Sequence, residues 1–214
     1  QQSPLLNPVV GGNNEIIAQT TPGGAITLPG QGTLTRAGHT FAGWSLVTTN
    51  GSGTVVGATY TPTVPVKLYS SWTPNVYVVT YNANGGNGAP TATTQNYTYG
   101  STALAITSVG TLSRTGYTFG GWNTLATGAG TNYSAGASYT PTASIILYAK
   151  WTAASYAVTY ALNGGTSSLP SQSPVQFGNT FTVASAATQA GKTFTGWGDG
   201  TNTYGGGSTY TMGG

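Results

Sequence analysis

Two stretches of the chain, YVVTY (Tyr77 to Tyr81) and YAVTY (Tyr156 to Tyr160), are dominated by β-branched and aromatic residues. That composition suits a pleated strand, and the Asn-Gly-Gly after each run supplies residues that tolerate positive φ at a turn. KLYSSW (Lys67 to Trp72) and ILYAKW (Ile146 to Trp151) alternate, with Leu on one face and Tyr on the other. In TLTRAGHTF and TLSRTGYTF, Gly38 and Gly116 interrupt short apolar runs, which predicts a tight hairpin or a bulge. No segment keeps a helical period for two turns, and the Thr-rich stretch Thr91 to Gly110 has room for one short helical turn at most. The pattern predicts a mainly β protein of short strands with little or no helix.

Seven residues recur three times: GHTFAGW (Gly38 to Trp44), GYTFGGW (Gly116 to Trp122) and GKTFTGW (Gly191 to Trp197). Gly, Thr, Phe, Gly and Trp are held, while the second position changes from His39 to Tyr117 to Lys192. A residue that reads a ligand would keep its identity, so the phrase reads as structural. Its first Gly is expected to make a turn, its second to permit close packing, and its varying residue to point outward. VKLYSSWT (Val66 to Thr73) and IILYAKWT (Ile145 to Thr152) keep the same spacing, as do ATYTPT (Ala58 to Thr63) and ASYTPT (Ala137 to Thr142), with STYTMG at Ser208 to Gly213. The unit is therefore about 75 to 80 residues, a size that gains stability from joining to neighbours. Its expected core is aromatic: Phe41, Trp44 and Trp72, then Phe119, Trp122 and Trp151, then Phe194 and Trp197.

The ordered motifs Y-x-V-T-Y-x-x-N-G-G, R-x-G-Y-T-F-x-G-W and L-Y-A-x-W resemble the internalin B-repeat family, also called the Listeria-Bacteroides repeat. The resemblance covers Tyr77 to Trp151 almost completely, Tyr156 to about Met212, and Thr33 to Trp72. It implies tandem small β-grasp-like modules in secreted or surface-attached bacterial proteins, serving as stalks, spacers or adhesion segments, without catalytic activity. Gln189 departs from the pattern, standing where the other copies have Arg36 and Arg114, and charged residues are scarcer than the family leads one to expect.

The repeat divides the chain into an N-terminal arm (1–12), a first module (13–74), a complete second module (75–153) and a third module (154–214). The first has no aromatic Y-x-V-T-Y strand, its nearest candidate being EIIAQTTPGG (Glu15 to Gly24), and the third has no L-Y-x-x-W strand. An incomplete sheet exposes unpaired backbone and an open apolar groove, both sites of strand addition. The arm, SPLLNPVVGG (Ser3 to Gly12), is apolar, and Pro4 and Pro8 lie four apart, so their missing N–H groups fall on one edge of an extended strand. The expectation is a structural subunit of an extracellular or cell-surface filament. Its partner is another copy of itself, joined head to tail by donating the arm into the open third module. The expected contacts are Leu5, Leu6, Val9 and Val10 on the arm and Tyr210 and Met212 at the acceptor. The arm folding back on its own first module, or a fragment boundary, are the plainer readings.

Composition narrows the chemistry. Only 3% of residues are charged, against about a quarter in an average soluble protein, so hydroxyls, amides and backbone must cover the surface. A net charge of +3 spread along the chain forms no basic stripe, which argues against nucleic acid. There is no Cys, and no apolar run approaches the roughly 20 residues that span a bilayer, so neither disulfides nor membrane insertion is expected. Gln1 reads as the product of signal-peptide removal, consistent with an extracellular or cell-surface setting.

No enzyme can be assembled from these residues, and no cofactor or metal is expected. Glu15 and Asp199 are the only carboxylates and lie in different modules, whereas acid/base chemistry needs a closely placed pair. His39 is the sole histidine, and no Gly-x-Ser-x-Gly elbow occurs. Gly128 to Gly130 and Gly205 to Gly207 precede no helix and read as hairpin loops, not phosphate cradles. Asn50, Asn96 and Asn132 head Asn-x-Ser/Thr sequons and are the candidate glycosylation sites. The competing function is a monomeric surface adhesin or stalk that binds glycans or a host surface. Exposed Trp44, Trp122 and Trp197 on one face would favour it, because aromatic faces stack on sugar rings.

Overall fold

Each copy of the seven-residue phrase is entered through one left-handed glycine and bent at a second. Gly38, Gly116 and Gly191 have φ of 68°, 75° and 70°, and Gly43, Gly121 and Gly196 have φ of 128°, 103° and 143°. The second glycine serves a β-bulge. Phe119 lies opposite Trp151 and Trp122 opposite Ala149, so three steps on one strand match two on its partner. The same extra residue separates Phe41, opposite Trp72, from Trp44, opposite Ser70. In a regular strand, residues three apart face opposite sides, and the bulge brings them onto one side. The rings accordingly meet edge to face, at 5.6 Å for Phe41 and Trp44 and 5.3 Å for Phe119 and Trp122.

The structure, a computed structural model, describes residues 9–11, 15–18, 24–46, 55–64 and 66–213. Among them are strands and turns but no helix. The first copy supplies β1 (Val9–Gly11), β2 (Glu15–Ala18), β3 (Ile26–Thr27), β4 (His39–Ser45), β5 (Val55–Val56), β6 (Thr59–Tyr60) and β7 (Val66–Pro74). They form a five-stranded sheet of order β1-β2-β7-β4-β5 and a small β3-β6 pair. The second copy supplies β8 (Val76–Asn82), β9 (Thr94–Thr98), β10 (Leu104–Ala105), β11 (Tyr117–Asn123), β12 (Asn132–Tyr133), β13 (Ser138–Tyr139) and β14 (Ile145–Ala153). Its sheet has the order β12-β11-β14-β8-β9, with β10 paired to β13. The Leu-Tyr-x-x-Trp strand, β7 or β14, is thus the middle strand of each sheet. The Thr-rich stretch with room for a helical turn holds β9 and β10 instead.

The third copy supplies β15 (Ser155–Tyr156), β16 (Val175–Gln176), β17 (Thr180–Thr182), β18 (Trp197–Gly198), β19 (Thr203–Tyr204) and β20 (Thr209–Thr211). These make three separate pairs, β15-β16, β17-β20 and β18-β19. Its counterparts of β8 and β11 are two residues long where the originals have seven. The reason is topological: both strands flank the middle one, and without it each loses the neighbour that supplies half its hydrogen bonds.

The chain forms two compact units, one from 1–79, 95–104 and 139–145, the other from 80–94, 105–138 and 146–214. In the first, Leu28, Trp44 and Leu68 are buried beneath Ile26, Leu34, Phe41, Val56 and Tyr60. In the second, Tyr81, Ile106, Leu112, Trp122, Leu147 and Ala149 are buried. The Trp122 indole N–H donates to the Thr107 carbonyl at 2.9 Å, and the Tyr81 ring meets the indole edge-on at 4.7 Å. Burial pushes the Tyr81 hydroxyl above its ordinary pKa, although the hydrogen bond it accepts from the Thr107 N–H acts the other way. Trp44 and Trp197 make the same indole bond, to Pro29 and Ala184.

Neighbouring glycines provide a test of the bulge. A Cβ on Gly121 would sit 2.8 Å from the Tyr133 carbonyl at a φ no L-residue favours, whereas one on Gly120 would meet nothing nearer than 3.4 Å. Gly121→Ala should destabilise by roughly 1 to 3 kcal/mol and Gly120→Ala by far less, as read by urea unfolding. Equal midpoints would contradict the assignment.

Candidate functional site

The third copy carries an open cleft of about 1140 Å³. One wall is Ala157 to Leu162, the continuation of β15, and the other is Lys192 to Trp197, the run into β18. Neither 157–162 nor 192–196 is paired in a strand. Phe181, Val183, Tyr210 and Met212 contribute to the lining. In the second copy β14 occupies the equivalent place, where Leu147 and Ala149 are fully buried. Among the described residues no strand fills that place in the third copy, and of its described apolar residues only Val175 and Val183 are buried. The aromatic pairing nevertheless persists: Phe194 meets Trp197 at 5.5 Å and Tyr160 meets it at 4.7 Å.

Of the residues expected in the core, Trp44, Trp72 and Trp122 are buried, and Phe41, Phe119, Trp151, Phe194 and Trp197 are half-buried. Trp44 is 2% and Trp122 0% exposed, so neither presents a face to a sugar. Tyr210 and Met212, expected at the acceptor, both line the cleft. Tyr210 pairs with Phe181 and meets Tyr204 edge-on at 4.9 Å, and Met212 exchanges backbone hydrogen bonds with Gly178 and Asn179. On the arm, the backbone of Val9 and Val10 pairs with Ile17 and Ile16 of its own chain, making β1 an edge strand. Leu5 and Leu6 lie outside the described residues, as does Asn50. Asn96 is exposed on β9. Asn132 is exposed on β12, its Oδ1 accepting from Asn123 and Lys150. Among the described residues no three His, Cys, Asp or Glu side chains gather to hold a metal.

Two features escape inspection of the sequence. The first is Asn123, fully buried, which donates to the carbonyls of Gly128 and Gly130 and accepts from the N–H groups of Leu125 and Gly130. It pins the glycine loop read above as an ordinary hairpin. The second is a joint between successive copies, one in each compact unit. The Asn75 N–H donates to the Gly38 carbonyl and the Tyr99 N–H to the Asn75 carbonyl, each at 2.8 Å. Ala154, Gly116 and Phe177 repeat both bonds at 2.8 Å. The ring of Tyr99 lies where a Cβ of Gly38 would be, and that of Phe177 where a Cβ of Gly116 would be. The varying second residue of the phrase meets the same ring edge-on, His39 with Tyr99 at 5.3 Å and Tyr117 with Phe177 at 5.5 Å. It therefore does not simply point outward. An aromatic–Gly pair, Tyr99-Gly100 and Phe177-Gly178, was the available signal.

Asp199, on the cleft wall, accepts from the backbone N–H groups of Asn202 and Thr201 and from the Tyr204 hydroxyl. These bonds, the Asn202 amide foremost, favour the carboxylate and lower its pKa to about 2. A depressed carboxylate pKa stabilises the fold above the unfolded-state value, and the contribution is lost as pH falls through about 2. Acid titration followed at the Thr201 and Asn202 amides should show a midpoint well below that of an ordinary aspartate, and Asp199→Asn should abolish it. Trp122→Ala should cost about 3 to 5 kcal/mol, and Trp197→Ala clearly less because its site is already half open. Thermal melts that fall equally would contradict that ranking.

Comparison with known proteins follows the same three-part division. The Listeria-Bacteroides repeat domain matches residues 9–71, 77–150 and 156–214. A protein of Evansella cellulosilytica named as a Gly-rich membrane protein is 33% identical over 177 residues, covering 80% of this chain and 19% of that protein. Internalin H of Listeria monocytogenes is 32% identical over 118 residues, 55% of this chain and 20% of its own length. The chain thus spans about a fifth of the length of these relatives. No solved structure matches. With three copies along its length, the chain belongs to the Listeria-Bacteroides repeat domain family.

Proposed function

We propose that the protein is a cell-surface structural subunit whose β-grasp-like third module accepts a strand, and that the donor is the N-terminal arm of another copy, giving a head-to-tail fibre. Relatives named as a membrane protein and an internalin support the surface setting. The observation that carries the assembly is the two-walled cleft of the third copy, bounded by strands that shorten where their common neighbour would lie. A strand placed there pairs along both edges and covers Phe194, Trp197 and Tyr210. Each Leu-sized side chain buried adds roughly 1.5 to 3 kcal/mol.

The arm suits this use. Ten residues from Ser3 to Gly12 match the nine of β14, and they carry Leu5, Leu6, Val9 and Val10. Pro4 and Pro8 remove two donors from one edge and leave the other complete. Within its own chain Val9–Gly11 pairs over three positions at a sheet edge, so exchange trades a short contact for a longer one that is complete along the proline-free edge. Size-exclusion chromatography and negative-stain microscopy of the chain, beside one lacking Gln1 to Gly11, provide the test. Polymers from the first and monomers from the second are expected. Monomers from both would sink arm donation.

A further inference from the structure

We infer that Gly191 is a docking socket for an aromatic–glycine corner of a further repeat module of this family. The inference stands on the joints between copies and does not depend on arm donation.

Within this chain the joint forms twice with the same parts. A glycine at φ near +70° opens a flat spot that a Cβ would fill, an aromatic ring of the following copy covers it, and two backbone hydrogen bonds run through the residue after the middle strand. Gly38 and Gly116 are half-buried as a result. Gly191 has the matching φ of 70°, opens the same phrase, and is exposed, and a Cβ built there would meet no heavy atom of the described residues within 4 Å. The socket's shape is therefore set by its own backbone and not by the ring that covers it. Lys192 stands where His39 and Tyr117 touch the ring in the other copies, and an ammonium beside an aromatic face is attractive.

The occupant must bring both a ring and a backbone N–H, because Tyr99 and Phe177 each donate to the residue after the middle strand. This excludes the first module of another copy. Counting back from Leu28, six residues as from Val183 to Phe177 or seven as from Ile106 to Tyr99, reaches Pro22 or Thr21, and neither brings a ring. Tyr99-Gly100 and Phe177-Gly178 of another copy are already seated in their own joints. The partner of fitting chemistry is a repeat module entering with Tyr-Gly or Phe-Gly, its middle strand lying in the cleft just before it.

The test is a chain lengthened by a second copy of residues 144–214 after Gly214, which preserves the spacing between the Tyr-Thr motif and the middle strand. The probe is the α-proton shift of Gly191, since a ring stacked on a glycine moves those protons upfield. In the unextended chain Gly38 and Gly116 should be shifted and Gly191 should not, and Phe177→Ala should release Gly116 alone. In the lengthened chain Gly191 should join the shifted pair, and Phe177→Ala in the appended copy should return it. An unmoved Gly191 would overturn the inference, whether the appended copy folds elsewhere or stays unfolded. Arm donation succeeds or fails in the unextended chain, so the two outcomes are separate.

Discussion

The middle strand of each sheet is the element on which the rest of a repeat depends. β7 and β14 pair with the glycine-bulged phrase strand, and the bulge turns Phe and Trp to one side, so that Phe41 meets Trp44 at 5.6 Å and Phe119 meets Trp122 at 5.3 Å. Without the bulge, residues three apart would face opposite ways and the aromatic cluster would divide between core and solvent. The third copy separates the local part of this arrangement from the cooperative part. Its Gly196 keeps φ 143° and its Phe194 still meets Trp197, yet the flanking strands shrink to two residues. Ring packing across a bulge is local, and sheet formation needs the strand between.

The joints extend the same economy from one copy to the next. Glycine is required at the entrance of the phrase for two reasons, its left-handed φ and the ring resting on it. The residue beside it has only to touch that ring, which His39 and Tyr117 both do. That explains why the second position tolerates different side chains while its neighbours do not. Successive modules are thereby tied by an edge-to-face aromatic contact and two backbone hydrogen bonds, a short-range coupling of the kind that stabilises linear arrays.

With so few charges, amides and carbonyls hold the loops. Asn84, at φ 49°, donates to the carbonyls of Ala126 and Ala149, and Asn123 pins the 124–130 loop. No buried side-chain nitrogen or oxygen among the described residues lacks a partner. Neutral hydrogen bonds of this sort are insensitive to salt screening.

The repeat, its period, the strand character of each motif and the aromatic core are legible in the amino-acid order, because they rest on local pattern: alternation at KLYSSW and ILYAKW, and Gly at fixed places beside Phe and Trp. Tertiary structure alone decided three things. It made the second glycine a bulge, because register exists only between paired strands. It put the Leu-Tyr-x-x-Trp strand in the middle of the sheet, so that a motif missing from the third copy becomes a cleft and not a frayed edge. It brought Tyr99 to Gly38 and Phe177 to Gly116, contacts across some sixty residues that no local periodicity encodes, because they arise only when one folded module is laid against the next.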